Sequence, residues 1–153
     1  MIGGKAAQAM ADFILMDDDI VNFLPAFGAA TVIVVPGNIK GSGPATLNGK
    51  KLCVDGDEKH VQVPGCAYIS PPHVIPGIGT LKIEALAPDQ MATKTNTGNK
   101  AVLLKGSQFD AKFEVQSPAQ QPPPGPGPPI PDSMTQYMGK GMFVTNNRKL
   151  QGT

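Results

Sequence analysis

Both cysteines and both histidines of this 153-residue chain fall in one short window: Cys53, His60, Cys66 and His73. Two thiols and two imidazoles make a complete tetrahedral donor set for a structural zinc, with no coordination position left open for catalysis. The spacing, C-x6-H-x5-C-x6-H, lacks the close Cys and His pairs of zinc fingers and suits ligands on successive loops of a small β-structure. His60, Cys66 and His73 stand in or beside expected turns. Cys53 lies in the apolar run Leu52-Cys53-Val54, where a small buried side chain is equally at home. Three readings therefore stay open: a four-ligand zinc site, a buried Cys53 with two exposed histidines, or a Cys53–Cys66 disulfide.

No catalytic constellation accompanies this cluster. Asp55, Asp57 and Glu58 surround Gly56 as a compact acidic group, read as a solvated turn because nothing nearby supplies the pocket that raises a catalytic pKa. Ser42, Ser70 and Ser107 lack a nucleophile-elbow context, and Gly41-Ser42-Gly43 lacks the Lys-Ser/Thr ending of a phosphate loop. No catalytic or cofactor-binding residue is assigned, and the chain is not expected to be an enzyme. A small zinc hydrolase would need an open metal position, which four protein ligands do not leave.

The elements that must position these residues are mostly strands. Eighteen glycines and 16 prolines, with only 16% charged residues, disfavour long helices and favour short strands joined by tight turns. The net charge of +1 gives no basis for nucleic-acid binding or for attachment to acidic lipid. Low surface charge fits a chain partly covered by a partner. No stretch approaches the length of a membrane span and no signal peptide is visible, so synthesis and assembly in the cytoplasm are expected.

Alanine-rich residues 3–16 predict a short N-terminal helix, ended by Asp17-Asp18-Asp19. Strands are expected at 31–35, 51–54, 61–63, 74–75, 80–86, 101–104 and 109–116, with Pro36-Gly37, Pro64-Gly65 and Pro76-Gly77 as turns. Lys50–Gly56 aligns with Lys100–Gly106 at an offset of 50, a faint repeat of strand, glycine turn and strand. Residues 117–132 read as a polyproline strap rather than a sheet, because proline supplies no ladder donor. Residues 137–144 read as a last strand burying Met138, Met142 and Phe143.

Taken in order, Asn48–Asp57, then Pro64-Gly65-Cys66, then His73 with Ile75 and Gly77, and later Gly98–Gly106, resemble the PAAR-like spike-tip proteins of extracellular contractile injection particles. The likeness covers about residues 30–117. It implies a mainly β fold: a small cone of short β-hairpins with pseudo-threefold repeats, preceded by a 1–29 segment carrying the short helix. A Pro-rich linker over 118–132 and a C-terminal tail over 133–153 follow. It further implies a tip that caps a trimeric β-helical spike protein, one tip per trimer, and sharpens it for membrane puncture. Cargo or baseplate proteins would be further partners, and contact with the target membrane would be transient. The finished protein would belong to an extracellular or membrane-attached particle. In such proteins His and Cys near the apex hold a zinc, and Cys66 and His73 match best, with His60 from the preceding turn. The last repeat departs, with Ser107-Gln-Phe-Asp110 after Gly106 and no ligand: either Cys53 completes the set, or this member has lost the metal and packs its apex without one. The candidate base is Thr31–Val35 with the helix and the tail. The alternative is a free-standing metal- or ligand-binding β-domain whose strap recruits a partner.

Overall fold

The computed structural model describes residues 11–153, and the described chain is built from β-strands and two short 3-10 turns. The larger sheet curls into a half-barrel. Its main path is β2 (Asp19–Phe23), β3 (Ala26–Phe27), β4 (Ala30–Val32), β5 (Gly37–Ile39), β8 (Gln62–Ser70), β9 (His73–Ala85), β12 (Phe109–Ser117) and β15 (Gln136–Val144), in the order β3-β4-β8-β9-β12-β15-β2-β5, with β13 (Gln120–Gln121) and β14 (Ile130–Pro131) branching from β9. The rest is a set of two-stranded pairs: β1 (Asp12–Phe13) with β16 (Gln151–Gly152), β6 (Thr46–Leu47) with β7 (Lys50–Lys51), and β10 (Met91–Thr97) with β11 (Lys100–Leu103).

Strand parity explains which residues enter the core. In β12, Phe109, Ala111 and Phe113 point inward, while Asp110, Lys112 and Glu114 face out and pair with β9 and β15. The Lys82–Glu114 contact at 2.6 Å and the Lys112–Glu84 contact at 3.3 Å decorate that outer face, worth at most about 1 kcal/mol each. Seven of the eight Phe and Tyr residues join one core: Phe23, Phe27, Tyr68, Phe109, Phe113, Tyr137 and Phe143. Ring centroids 5.0–6.1 Å apart give edge and tilted contacts, each adding roughly 1 kcal/mol beyond burial. In β15 the same parity that buries Tyr137 and Phe143 turns Met138 outward, 45% exposed, so the burial expected of Met138 does not hold. Gly141 lies under Phe109, whose ring carbon would be 2.4 Å from an added Cβ; the close approach requires glycine there.

Four further expectations change. The part of the expected helix within the described residues, 11–16, is extended, because Ile14, Leu15 and Met16 find backbone partners on other strands; residues 3–10 lie outside the description. Pro64-Gly65 is not a turn but a bulge inside β8: the β9 register passes from Val63↔Leu81 to Cys66↔Gly79, with Gly65 at φ 75°. Pro76-Gly77 likewise sits inside the continuous strand β9. Within the strap, β13 (Gln120–Gln121) pairs with β14 (Ile130–Pro131), and Gln120 also pairs with Ile75. The prolines bar a longer ladder, but the two glutamines at its start supply donors for a short one.

Candidate functional site

Three segments meet through a closed cycle of backbone hydrogen bonds. The Leu15 N–H donates to the Leu103 carbonyl, Leu103 N–H to Cys53, and Cys53 N–H to Leu15, all at 2.9 Å. Two residues further along, a second cycle runs in the opposite sense: Asp17 N–H donates to Lys51, Asp55 N–H to Ala101 and Lys105 N–H to Phe13, at 2.8–2.9 Å. The bridges Ile14↔Leu104, Met16↔Leu52 and Val54↔Val102 permute in the same way. Residues 12–19, 50–57 and 100–107 are therefore three copies of one unit around a pseudo-threefold axis.

Side chains follow the permutation. Leu15, Cys53 and Leu103 occupy equivalent places, each 0% exposed, in the main core. Their neighbours Ile14 and Met16, Leu52 and Val54, and Val102 and Leu104 build a second core on the axis. Each unit ends in a tight turn whose third residue after the central one has positive φ: Asp18 at 69°, Gly56 at 102° and Gly106 at 55°. In two units an aspartate caps that turn, Asp19 accepting from the Met16 N–H at 2.7 Å and Asp57 from the Val54 N–H at 2.8 Å. Asp57 also accepts from the Ser42 N–H and hydroxyl at 3.0 and 2.6 Å, and Glu58 accepts from the Gly56 N–H at 2.9 Å. Asp57 and Glu58 are thus buried caps rather than a solvated turn. Each unit also pairs in register with an outer strand: Phe13 with Gln151, Lys51 with Thr46, Ala101 with Asn96. The offset of 50 between the second and third copies was visible in the sequence. The first, Asp12-Phe-Ile-Leu-Met-Asp-Asp-Asp19, was masked by helix-forming alanines, although its aspartate four residues after the central leucine matches Asp57.

The four expected zinc ligands are not gathered. Among the described residues, no three His, Cys, Asp or Glu side chains form a group that could hold a metal. His60 is exposed at the end of the 3-10 turn before β8, and His73 follows the far end of that nine-residue strand, about 30 Å along the chain. The His73 Nδ1–H points to the Ser70 carbonyl at 3.1 Å. Cys66 faces inward because the bulge shifts its parity, and its thiol donates to the Val63 carbonyl at 3.6 Å. Both thiols are free, without a disulfide. Burial, reinforced by the carboxylates of Asp57, Asp19 and Asp17, pushes the Cys53 thiol well above its ordinary value; burial raises Cys66 as well. As folded, these residues do not fit one shared zinc.

A second polar cluster escaped the sequence reading. The buried Asp132 carboxylate accepts the Tyr68 hydroxyl at 2.9 Å, the Tyr137 hydroxyl at 2.6 Å and the Met134 N–H at 3.0 Å. Tyr68 in turn accepts the Ala119 N–H, and Asp132 N–H donates to Ala119, so both ends of the Pro-rich strap are tied to the barrel wall. Burial pushes Tyr68 up to about 12 and raises Tyr137 too. On the outer surface an apolar row is left open: Ile33, 70% exposed, stands beside Ala67 of β8, which pairs with Ile78 of β9; Val35 and Val74 are exposed nearby in sequence.

The chain is thus mainly β, with three equivalent units about one axis, a strap pinned at both ends and an open apolar row. The family model for contractile injection system spike tip proteins matches residues 10–153, and the chain belongs to that family. As a spike tip it is a component of the injection particle, associated with its spike, in a family that is structural rather than catalytic. The curated proteins contain no match. No helix among the described residues is long and apolar enough to cross a membrane.

Proposed function

We propose that this chain caps the trimeric central spike of a contractile injection apparatus, one tip per trimer, and sharpens it for membrane puncture. The observation that carries this reading is the pseudo-threefold cycle of hydrogen bonds through Leu15, Cys53 and Leu103. A single chain can satisfy a threefold shaft only by presenting three similar units, and residues 12–19, 50–57 and 100–107 do so. The Ile33–Ala67–Ile78 row adds apolar surface of the kind a partner covers, in line with the base expected at Thr31–Val35. Puncture calls for stiffness rather than turnover, and the second core with its capped turns contributes to it. In this reading the chain is made in the cytoplasm, joins the assembling particle, performs no catalysis and touches the target membrane only in passing.

Native mass spectrometry of the chain co-expressed with the spike protein of its particle tests the reading. One tip per three spike subunits is expected. A complex with three tips per trimer, or a chain that stays alone in the presence of the assembled spike, refutes it.

A further inference from the structure

The three units are not equally closed at their flanks. Beside the second unit, Gly43 and Pro44 fill the groove between the Asp57 turn and the β10–β11 hairpin: a Cβ on Gly43 would meet Thr97 Cγ2 at 2.8 Å and Val54 Cγ1 at 3.0 Å, and one on Gly98 would meet Pro44 at 2.8 Å. The corresponding groove beside the first unit lies between the Asp19 turn and the β6–β7 hairpin. There the chain that should fill it turns back on itself. Asn147 Oδ1 accepts from the Lys149 and Leu150 N–H groups at 3.0 Å, and its Nδ2 donates to the Ile14 carbonyl at 2.9 Å. A cavity of about 270 Å³ remains, with Met16 and Leu47 in the places of Val54 and Thr97.

The charge of this cleft is unlike that of the chain. Lys50, Arg148 and Lys149 line it against the single carboxylate of Asp19, in a protein whose net charge is only +1. Asp19 already accepts from the Met16 N–H. Arg148 is fixed beforehand: its Nη1 donates to the Thr145 and Asn147 carbonyls at 2.6 and 3.1 Å, and its guanidinium lies over the Phe13 ring at 5.6 Å. A cation held in place this way loses little freedom on meeting an anion.

We propose that this cleft is a docking pocket for an acidic, extended segment of a partner protein. The segment takes the place that Gly43-Pro44 takes in the closed groove, and its carboxylates answer Lys50, Arg148 and Lys149. The closed groove supplies the shape of the occupant, a narrow extended chain, and the three cations supply its sign. The proposal does not depend on the spike-capping reading.

Fluorescence anisotropy on the full chain tests it, with a labelled dodecapeptide of repeating Gly-Ser-Glu as probe and its Gly-Ser-Gln counterpart as control. Saturable binding of the Glu peptide alone is expected, weakening as salt rises through the range where the Debye length falls below about 8 Å. The Lys50→Gln/Lys149→Gln variant should bind at least about tenfold more weakly, or 1.4 kcal/mol. Lys100→Gln, at the position equivalent to Lys50 in the third unit, should bind like the wild type. All three lysines are exposed, so the variants fold, as circular dichroism would verify. Absence of saturable binding, equal binding of the Gln peptide, or an equal loss in Lys100→Gln overturns the proposal. So does capture by phosphatidylserine vesicles without peptide binding.

Discussion

Replacing Asp132 by asparagine keeps the shape of the side chain and removes its charge from a site where three donors converge. The carboxylate is 6% exposed and accepts two tyrosine hydroxyls and a backbone N–H. Hydrogen bonds to a charged acceptor contribute roughly 1.5–3 kcal/mol each, and an asparagine oxygen retains part of that, so the loss should be about 2–4 kcal/mol. For a chain of this size each kcal/mol lowers Tm by roughly 2–4 °C, giving a fall on the order of 5–15 °C. Burial works to raise the Asp132 pKa, but the bonds from Tyr137, Met134 and Tyr68 outweigh it and hold the carboxyl below its ordinary 3.8. A carboxyl depressed in the folded state stabilises fully above its unfolded pKa, and that contribution disappears as pH falls through the folded value. The wild type should therefore lose stability below about pH 4 from this group, and Asp132→Asn should lack that share of the acid limb. Thermal unfolding followed by circular dichroism from neutral to acid pH reads both effects. Hydrogen exchange should show faster exchange over residues 117–132, because the strap is tied through Ala119 and Asp132. A Tm within about 2 °C of wild type, with an unchanged acid limb, would refute the clamp.

Leu103→Ala removes a fully buried side chain at the centre of the pseudo-threefold cycle and should cost about 2–5 kcal/mol in urea unfolding. Cys53→Val at the equivalent place should cost less than about 1.5 kcal/mol, because that position asks for a hydrophobe of moderate size; a much larger loss would return Cys53 to a ligand role. Zinc measured by elemental analysis should be the same in the wild type and in Cys66→Ser/His73→Ala, because no three His, Cys, Asp or Glu side chains among the described residues form a group that could hold a metal. Stoichiometric zinc present in the first and lost in the second would reinstate the four-ligand site.

Much of the strand content was readable from local pattern. Phe109–Ser117 alternates apolar and charged residues, and it forms an outward-charged, inward-aromatic strand. Lys50–Gly56 and Lys100–Gly106 share a glycine turn after an apolar triplet, and they are two units of the threefold. Where the reading missed, two local signals conflicted or a proline could act in two ways. Ile14-Leu15-Met16 is good helix sequence, and only cross-strand partners at Leu52 and Leu104 make it extended. Pro-Gly suits a type II turn and a bulge alike, so the side chain of Cys66 depends on which one β9 selects.

What the sequence determined by itself is the material of a β-protein: alternating strands, tight turns, a proline-barred strap and two copies of a repeated unit, because each is set by residues adjacent in the chain. The tertiary structure alone decided that a third copy closes the ring, that the cysteines and histidines are scattered while Asp132 gathers two tyrosines, and that one flank is left open and cationic. Those outcomes depend largely on partners far apart in the chain, as Leu15 is from Cys53 and Leu103. Spacing along a chain carries no record of which distant backbone groups must pair to be satisfied.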